Sequence, residues 1–307
     1  MIKAPPFQWS MLHPRFWLLW LGLAIAYLLS WLPYRVLMAL GRGLGLLMLK
    51  LLKSRRKVAA RNLELCFPEK SAAERQLLLR QNFQHTGCAA METIIAWWWP
   101  DWRFKPLAHF KGYQHIAAEL AKGKGVLLLA SHMLHLEAAC RVFGFTHPSV
   151  GFYRPHNNPV MEFFMYRGRS RGNKYMIGKR DVKGLIQALN QGEVCFYLPD
   201  QDYGRNRAEF VPFFAVTDTA TTTGTLLFAN AANCSVIPIY SSSLPNLAGY
   251  QIEALPALTD FPSGDDKADC QRVNQWVEQA VLQHPAQYMW LHRRFKTRPD
   301  PDAPSLY

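Results

Sequence analysis

The segment around His132 contains the residues best suited to acid–base chemistry. In KGVLLLASHMLHLE, an apolar run at 126–130 comes directly before Ser131 and His132, and Glu137 follows His132 by five positions. A histidine oriented by a carboxylate can take a proton from a substrate hydroxyl group. On one helix, residues five apart point about 140° away from each other, so His132 and Glu137 can pair only if His132 precedes the helix. The pattern therefore predicts a strand, a turn that carries the histidine, and a helix.

Other chemistries fit this segment less well. His132, His135 and Glu137 have neither the H-E-x-x-H spacing nor another standard zinc spacing, so no metal site is predicted. Ser131 lacks the G-x-S-x-G surroundings of a nucleophilic serine. The spacing alone still allows His132 to be a structural histidine at a strand end.

The elements that must position these residues follow an alternating pattern. Apolar runs typical of buried strands occupy 126–130, 150–153, 194–198, 236–240 and 250–255. Helical patterns occupy 71–98, 158–171, 181–191 and 219–232. This alternation predicts an α/β fold with a central sheet flanked by helices, whose active site lies outside the carboxyl ends of the strands.

The amino-terminal region contains a long uncharged run. Residues 16–34, FWLLWLGLAIAYLLSWLPY, would extend about 28 Å as a helix, close to the hydrocarbon thickness of a bilayer. Pro33, Tyr34 and Arg35 stand where a signal peptide would have small residues before its cleavage site. We therefore expect an N-terminal transmembrane helix, with residues 1–35 as a membrane anchor and residues 36–307 as one catalytic domain.

The distribution of charge predicts an orientation. The chain has 35 Lys and Arg against 22 Asp and Glu, a formal net charge of +13 that attracts polyanions. Eight basic residues and no acidic ones lie in 35–61, whereas only Lys3 and Arg15 precede the apolar run, so the domain is expected on the cytoplasmic side. A helix at 36–52 fits either a membrane surface or an amphipathic core position.

Two classes of protein are disfavoured. The six cysteines form no C-x-x-C pair, which argues against a disulfide scaffold or a zinc domain. The chain has no recognisable helix-turn-helix, zinc finger or base-stacking module, so nucleic acid is not an expected partner despite the basic charge.

Five blocks of the chain resemble one family, the late acyltransferases of lipid A synthesis, which are the lauroyl and myristoyl transferases of the lysophospholipid acyltransferase superfamily. In chain order the blocks are RRKVAARNLELCFPE, SHMLHLE, YRPHNNPVMEFFMYRGRSRGN, LPDQDYG followed by FVPFFA, and YMWLHRRFKTRP. The acid of the family's histidine motif is often Asp, and here it is Glu137.

The resemblance implies a mixed sheet like that of the glycerolipid acyltransferases and an enzyme at the cytoplasmic face of the bacterial inner membrane. Such an enzyme moves an acyl chain from acyl carrier protein to a hydroxyl group on an acyl chain of a lipid A precursor, without a cofactor. His132 would be the general base and Glu137 the carboxylate that orients it. Arg169, which could bind a substrate phosphate or an oxyanion, and Asp200 match positions that the family uses. Arg154, directly after a predicted strand, is a further candidate for the phosphate pocket.

Alternatives remain for both the residues and the function. Arg169 also fits a solvated basic helix face, and Asp200 a turn cap. The acceptor could instead be glycerol phosphate or a lysophospholipid. A protein of another class, a membrane-tethered binder of polyanions, is suggested by the charge alone.

Overall fold

A mixed seven-stranded sheet forms the centre of the protein in the computed structural model, which describes residues 1–307. Its strands are β1 (Ala108–Lys111), β2 (Gly125–Leu129), β3 (Ser149–Tyr153), β4 (Asn173–Gly178), β5 (Val194–Tyr197), β8 (Cys234–Ser243) and β9 (Tyr250–Ala254). They lie in the order β1-β9-β8-β2-β5-β3-β4, and every neighbouring pair is parallel except β8 with β9. A separate antiparallel hairpin joins β6 (Ala208–Phe213) to β7 (Val216–Thr222).

Helices cover the sheet and form the amino-terminal part of the chain. They are α1 (Trp17–Ser30), α2 (Tyr34–Leu51), α3 (Lys53–Cys66), α4 (Ala72–Trp98), α5 (Asp101–Phe104), α6 (Tyr113–Ala121), α7 (Leu136–Gly144), α8 (Pro159–Arg169), α9 (Val182–Asn190), α10 (Gly224–Ala231) and α11 (Asp266–Gln283). The predicted α/β architecture with a central sheet and flanking helices is therefore confirmed.

The burial of β2 on both faces of the sheet explains why its apolar sequence predicted a strand. Val126, Leu127 and Leu128 are completely buried, because β2 lies in the middle of the sheet with helices on both faces. A strand buried on both faces has a continuous apolar sequence rather than an alternating one. This buried central strand leads into the turn that contains His132.

The predicted N-terminal transmembrane helix is wrong. The uncharged run is divided: α1 has 14 residues, about 21 Å of helix, and the chain turns at Trp31 and Leu32 before α2 begins at Tyr34, directly after Pro33. Helix α2 has 18 residues, but Arg35, Arg42 and Lys50 interrupt its apolar character. None of the helices combines the length and the apolar character that crossing a membrane requires.

Helix α2 instead packs along α4. Its buried side contains Leu37, Met38, Gly41 and Gly45, as expected for an amphipathic core helix. The small residues let the two backbones approach closely, and Gly87 is the facing residue on α4.

The predicted helix at 219–232 is only partly correct. Residues up to Thr222 belong to β7, and the helix begins at Gly224. Thr219 and Thr221 are buried and β-branched, and pairing with β6 favours the extended conformation that such residues prefer.

Candidate active site

The turn between β2 and α7 presents His132 at the edge of the sheet. Strand β2 ends at Leu129, and α7 begins at Leu136, so the expected strand, turn and helix are all present. The His132 carbonyl oxygen accepts a hydrogen bond from the main-chain N–H of Met289, and Met133 bridges to Tyr288. The carboxyl-terminal segment therefore fixes the turn from outside.

The carboxylate of Asp200 holds the His132 ring. Its Oδ1 lies 2.6 Å from His132 Nδ1, and its Oδ2 accepts a hydrogen bond of 2.7 Å from the His132 main-chain N–H. Asp200 follows β5, the parallel neighbour of β2, so both residues lie beyond the carboxyl ends of adjacent strands. The ring is 18% exposed, and its Nε2 has no hydrogen-bond partner in the protein.

Asp200 is suited to remain ionised although its side chain is completely buried. Burial raises the pKa of its carboxyl group, but the charge of His132 and the hydrogen bonds from the His132 ring and main chain outweigh burial and hold that pKa below its ordinary value. A permanent carboxylate on Nδ1 leaves Nε2 as the nitrogen that can accept a proton.

Glu137 does not make the expected hydrogen bond with His132. It lies in the first turn of α7, where its Oε1 accepts bonds from Arg169 Nε at 2.9 Å and Arg169 Nη2 at 2.5 Å. Its Oε2 accepts a bond of 3.0 Å from the indole N–H of Trp97. Asp200 therefore occupies the position beside His132 that was expected for Glu137.

The ion pair with Glu137 also changes what Arg169 can do. Burial lowers the pKa of the guanidinium group, but the neighbouring carboxylate more than compensates, so the pKa lies above its ordinary value. Arg169 is charged and neutralised by its partner. Arg169 is therefore not part of a solvated basic helix face, the alternative that the sequence also allowed.

A cavity of about 630 Å³ brings four of the five predicted site residues together. His132, Glu137, Arg154 and Arg169 line it, and Asp200 lies behind His132. Apolar side chains form much of the remaining wall: Leu136, Phe152, Met176, Val182, Phe196, Leu198, Leu227 and Phe228. The cavity therefore offers a proton acceptor, charged groups and an apolar interior.

Sequence reasoning missed Lys179, Arg207 and Tyr203, which also line the cavity. Lys179 directly follows β4, a strand that the sequence analysis did not find. Arg207 and Tyr203 lie in the loop between β5 and β6, whose conformation no local pattern predicts. Only the position of Tyr203 within LPDQDYG gave a signal.

His135, the second histidine of the motif, is directed away from this chemistry. It is buried, its Nε2 lies 3.2 Å from Ser241 Oγ, and its ring stacks on Tyr250. Burial lowers the pKa of His135 to about 3, so the ring is neutral at physiological pH.

Comparisons with known proteins agree on one family. Residues 4–297 match the model of the bacterial lipid A biosynthesis acyltransferase family. The chain is 44% identical to the lipid A biosynthesis lauroyltransferase of Escherichia coli strain K12, over 100% of both chains. It is 39% identical to the palmitoleoyltransferase of the same organism over 98% of each chain, and 42% identical to a lipid A biosynthesis acyltransferase of Haemophilus influenzae over 99% of this chain and 98% of that one. This protein therefore belongs to the bacterial lipid A biosynthesis acyltransferases.

Proposed function

We propose that this acyltransferase moves a fatty acyl chain from an acyl carrier protein thioester to a hydroxyl group on an acyl chain of a lipid A precursor. The observation that carries the proposal is the hydrogen-bonded pair of Asp200 and His132 at the wall of a cavity with a largely apolar interior. An acyl chain can lie against the apolar wall. Nε2 of His132 is free to accept a hydrogen bond from a hydroxyl group, because Nδ1 is the nitrogen bonded to Asp200.

The chemistry follows from the state of the His132 ring. With Nδ1 bonded to Asp200, Nε2 takes the proton of the acceptor hydroxyl group while the oxygen attacks the thioester carbonyl carbon. The ester bond forms as the carbon–sulfur bond breaks, and the imidazolium returns the proton to the departing thiolate. The negative charge of Asp200 stabilises the imidazolium between these two proton transfers.

Glu137 has a different part in this proposal. It orients Arg169 through two hydrogen bonds and is itself held by Trp97, so the pair forms one wall of the cavity. Loss of either partner leaves an uncompensated charge in a partly buried position, which is costly. Glu137 therefore supports catalysis by positioning Arg169.

We further propose that the enzyme works at the cytoplasmic face of the bacterial inner membrane and contacts the bilayer surface. Support comes from α1, where Trp17, Leu18, Leu21 and Leu28 are all exposed. Arg15 and Arg35 lie near the two ends of this helix. Exposed apolar side chains beside basic ones suit an interface with anionic lipid.

Acyl transfer in vitro tests the proposal. Labelled acyl carrier protein thioesters of C10 to C16 acids are offered with a tetra-acylated lipid A precursor, and then with a penta-acylated one. We expect transfer by the wild type, none above background by His132→Ala, and a large loss with Glu137→Ala. Transfer that survives His132→Ala, or its absence from the wild type with both acceptors, would contradict the proposal.

A further inference from the structure

Two basic residues lie side by side at the opening of the cavity. Strands β3 and β4 are parallel neighbours in which Tyr153 pairs with Gly178, so the next residues are Arg154 and Lys179. The main-chain N–H of Lys179 donates a hydrogen bond of 2.8 Å to the Tyr153 carbonyl, which extends the register by one step. Both side chains are exposed and both line the cavity.

Arg207 adds a third positive charge from another element. It lies in the loop before β6 and has a φ of 56°, a left-handed conformation that is uncommon outside glycine. The main-chain N–H and hydroxyl group of Thr223 both donate to its carbonyl oxygen, at 3.0 and 3.2 Å. These two hydrogen bonds hold the main chain of Arg207 in this conformation, and the residue lines the cavity.

The three basic residues Arg154, Lys179 and Arg207 differ from Arg169 because they have no ion-pair partner in the protein. Arg169 is neutralised by Glu137, whereas Arg154, Lys179 and Arg207 make no ion pair and no side-chain hydrogen bond in the protein. Three uncompensated positive charges around one opening repel each other, and an anion bound between them would relieve that repulsion.

We propose that Arg154, Lys179 and Arg207 form a binding site for a phosphate group at the opening of the cavity. A phosphate carries up to two negative charges and several acceptor oxygens, so it can bind two guanidinium groups and an ammonium group together. This inference rests on the proposed function, because two substrates could supply the group: the phosphorylated glycolipid, or the phosphopantetheine arm of the carrier protein.

Kinetics with one substrate varied at a time test the site. The variants are Arg154→Gln, Lys179→Gln and Arg207→Asn, the last chosen because asparagine tolerates the left-handed conformation. The matched control is Arg180→Gln. Arg180 is exposed and next to Lys179 in sequence, but it does not line the cavity. We expect the KM of one substrate to rise about tenfold for each of the three variants with kcat little changed, and no effect in the control.

The two sources of phosphate give different results. A raised KM for the glycolipid alone identifies its phosphate as the bound group, and a raised KM for the acyl carrier protein alone identifies the phosphopantetheine phosphate. A triple variant combines the three substitutions. If both of its KM values remain at the wild-type level while the wild type transfers acyl chains, the proposed site is overturned.

A binding measurement separates failure of this site from failure of the proposed function. Inorganic pyrophosphate, added to the full-length protein in the millimolar range, should raise the thermal unfolding temperature of the wild type and of Arg180→Gln. The triple variant should show no such increase. An equal increase in all three proteins would overturn the site whether or not acyl transfer is detected.

Discussion

The hydrogen bonds of Asp200 limit what His132 can do. Both carboxylate oxygens are used, one on the ring and one on the main chain of the same residue, so the carboxylate fixes the position and the tautomer of the ring together. Glu137 is five residues from His132 in sequence, yet its carboxylate is committed to Arg169 and Trp97. The carboxylate that the structure places beside His132 is therefore that of Asp200, which is distant in sequence, and not that of Glu137.

The Asp200→Asn variant tests this assignment. The amide cannot stabilise an imidazolium as a carboxylate does, and it favours the wrong tautomer, so kcat should fall on the order of 10²- to 10⁴-fold. Initial rates with saturating substrates measure the loss, and circular dichroism checks that the variant is folded. Asp218→Asn, at an exposed position, is the control and should keep wild-type activity. An Asp200→Asn enzyme with more than a tenth of the wild-type kcat would return the orienting role to another residue.

At the scale of elements, the contact of α2 with α4 depends on three glycines. A Cβ atom at Gly45 would overlap the main chain of Phe83, and one at Gly87 would overlap the Gly41 carbonyl. The same helix α2 contains Gly43, where a Cβ atom would have no neighbour within 4 Å. Helix α2 therefore contains one glycine that the close contact with α4 requires, Gly45, and one that it does not require, Gly43.

Alanine substitutions should separate these positions. Gly45→Ala forces the helices apart and should lower the free energy of unfolding by about 1–3 kcal/mol. Gly43→Ala should raise it by about 0.5–1 kcal/mol, because alanine is the better helix former. Urea unfolding monitored by tryptophan fluorescence measures both. Equal effects of the two substitutions would show that the close helix contact does not contribute to stability.

At the scale of the whole molecule, Glu92 lies buried where α4 meets the core. Burial raises the pKa of its carboxyl group from 4.5 to about 8. At pH values between 4.5 and about 8, Glu92 keeps its proton in the folded chain and loses it in the unfolded chain. The contribution of this group to the free energy of unfolding is therefore complete below pH 4.5 and is lost as the pH rises through about 8.

Glu92→Gln should remove this pH dependence. The wild type should lose about 1.4 kcal/mol of unfolding free energy per pH unit within that range from this group, whereas glutamine does not titrate. Urea unfolding at pH 5 and pH 8.5 should therefore show the variant gaining on the wild type at the higher pH. Glu69→Gln, at an exposed position, should show no such gain. A constant difference between variant and wild type at both pH values would contradict the assignment.

The exposed apolar side of α1 leads to a second prediction at the scale of the whole molecule, namely that the protein binds lipid through this helix. Leu18 is 81% exposed, and Leu282, on α11, is 56% exposed. If α1 contacts lipid, Leu18→Asp should weaken binding to vesicles of phosphatidylglycerol and phosphatidylethanolamine at least about tenfold, because a buried leucine contributes about 1.5–3 kcal/mol. Leu282→Asp should bind like the wild type. Equal binding of both variants in vesicle flotation would contradict contact through α1.

Local sequence determined much of this protein. The apolar run of β2 and the turn after it identify His132, and the five blocks identify the family, because both signals are carried by residues close together in the chain. The same local reasoning failed at residues 16–34, where a count of uncharged residues could not show that the chain turns before Pro33. It also failed at Thr219 and Thr221, whose extended conformation depends on pairing with β6.

Only the tertiary structure decided which charged groups meet. Asp200 reaches His132 because β5 lies next to β2, and Arg154 and Lys179 are neighbours because β3 lies next to β4. Parallel strands are joined by long connections, so their neighbours in the sheet are far apart in sequence. The order of the strands comes from packing the whole core, and that order determines the partners of each charge.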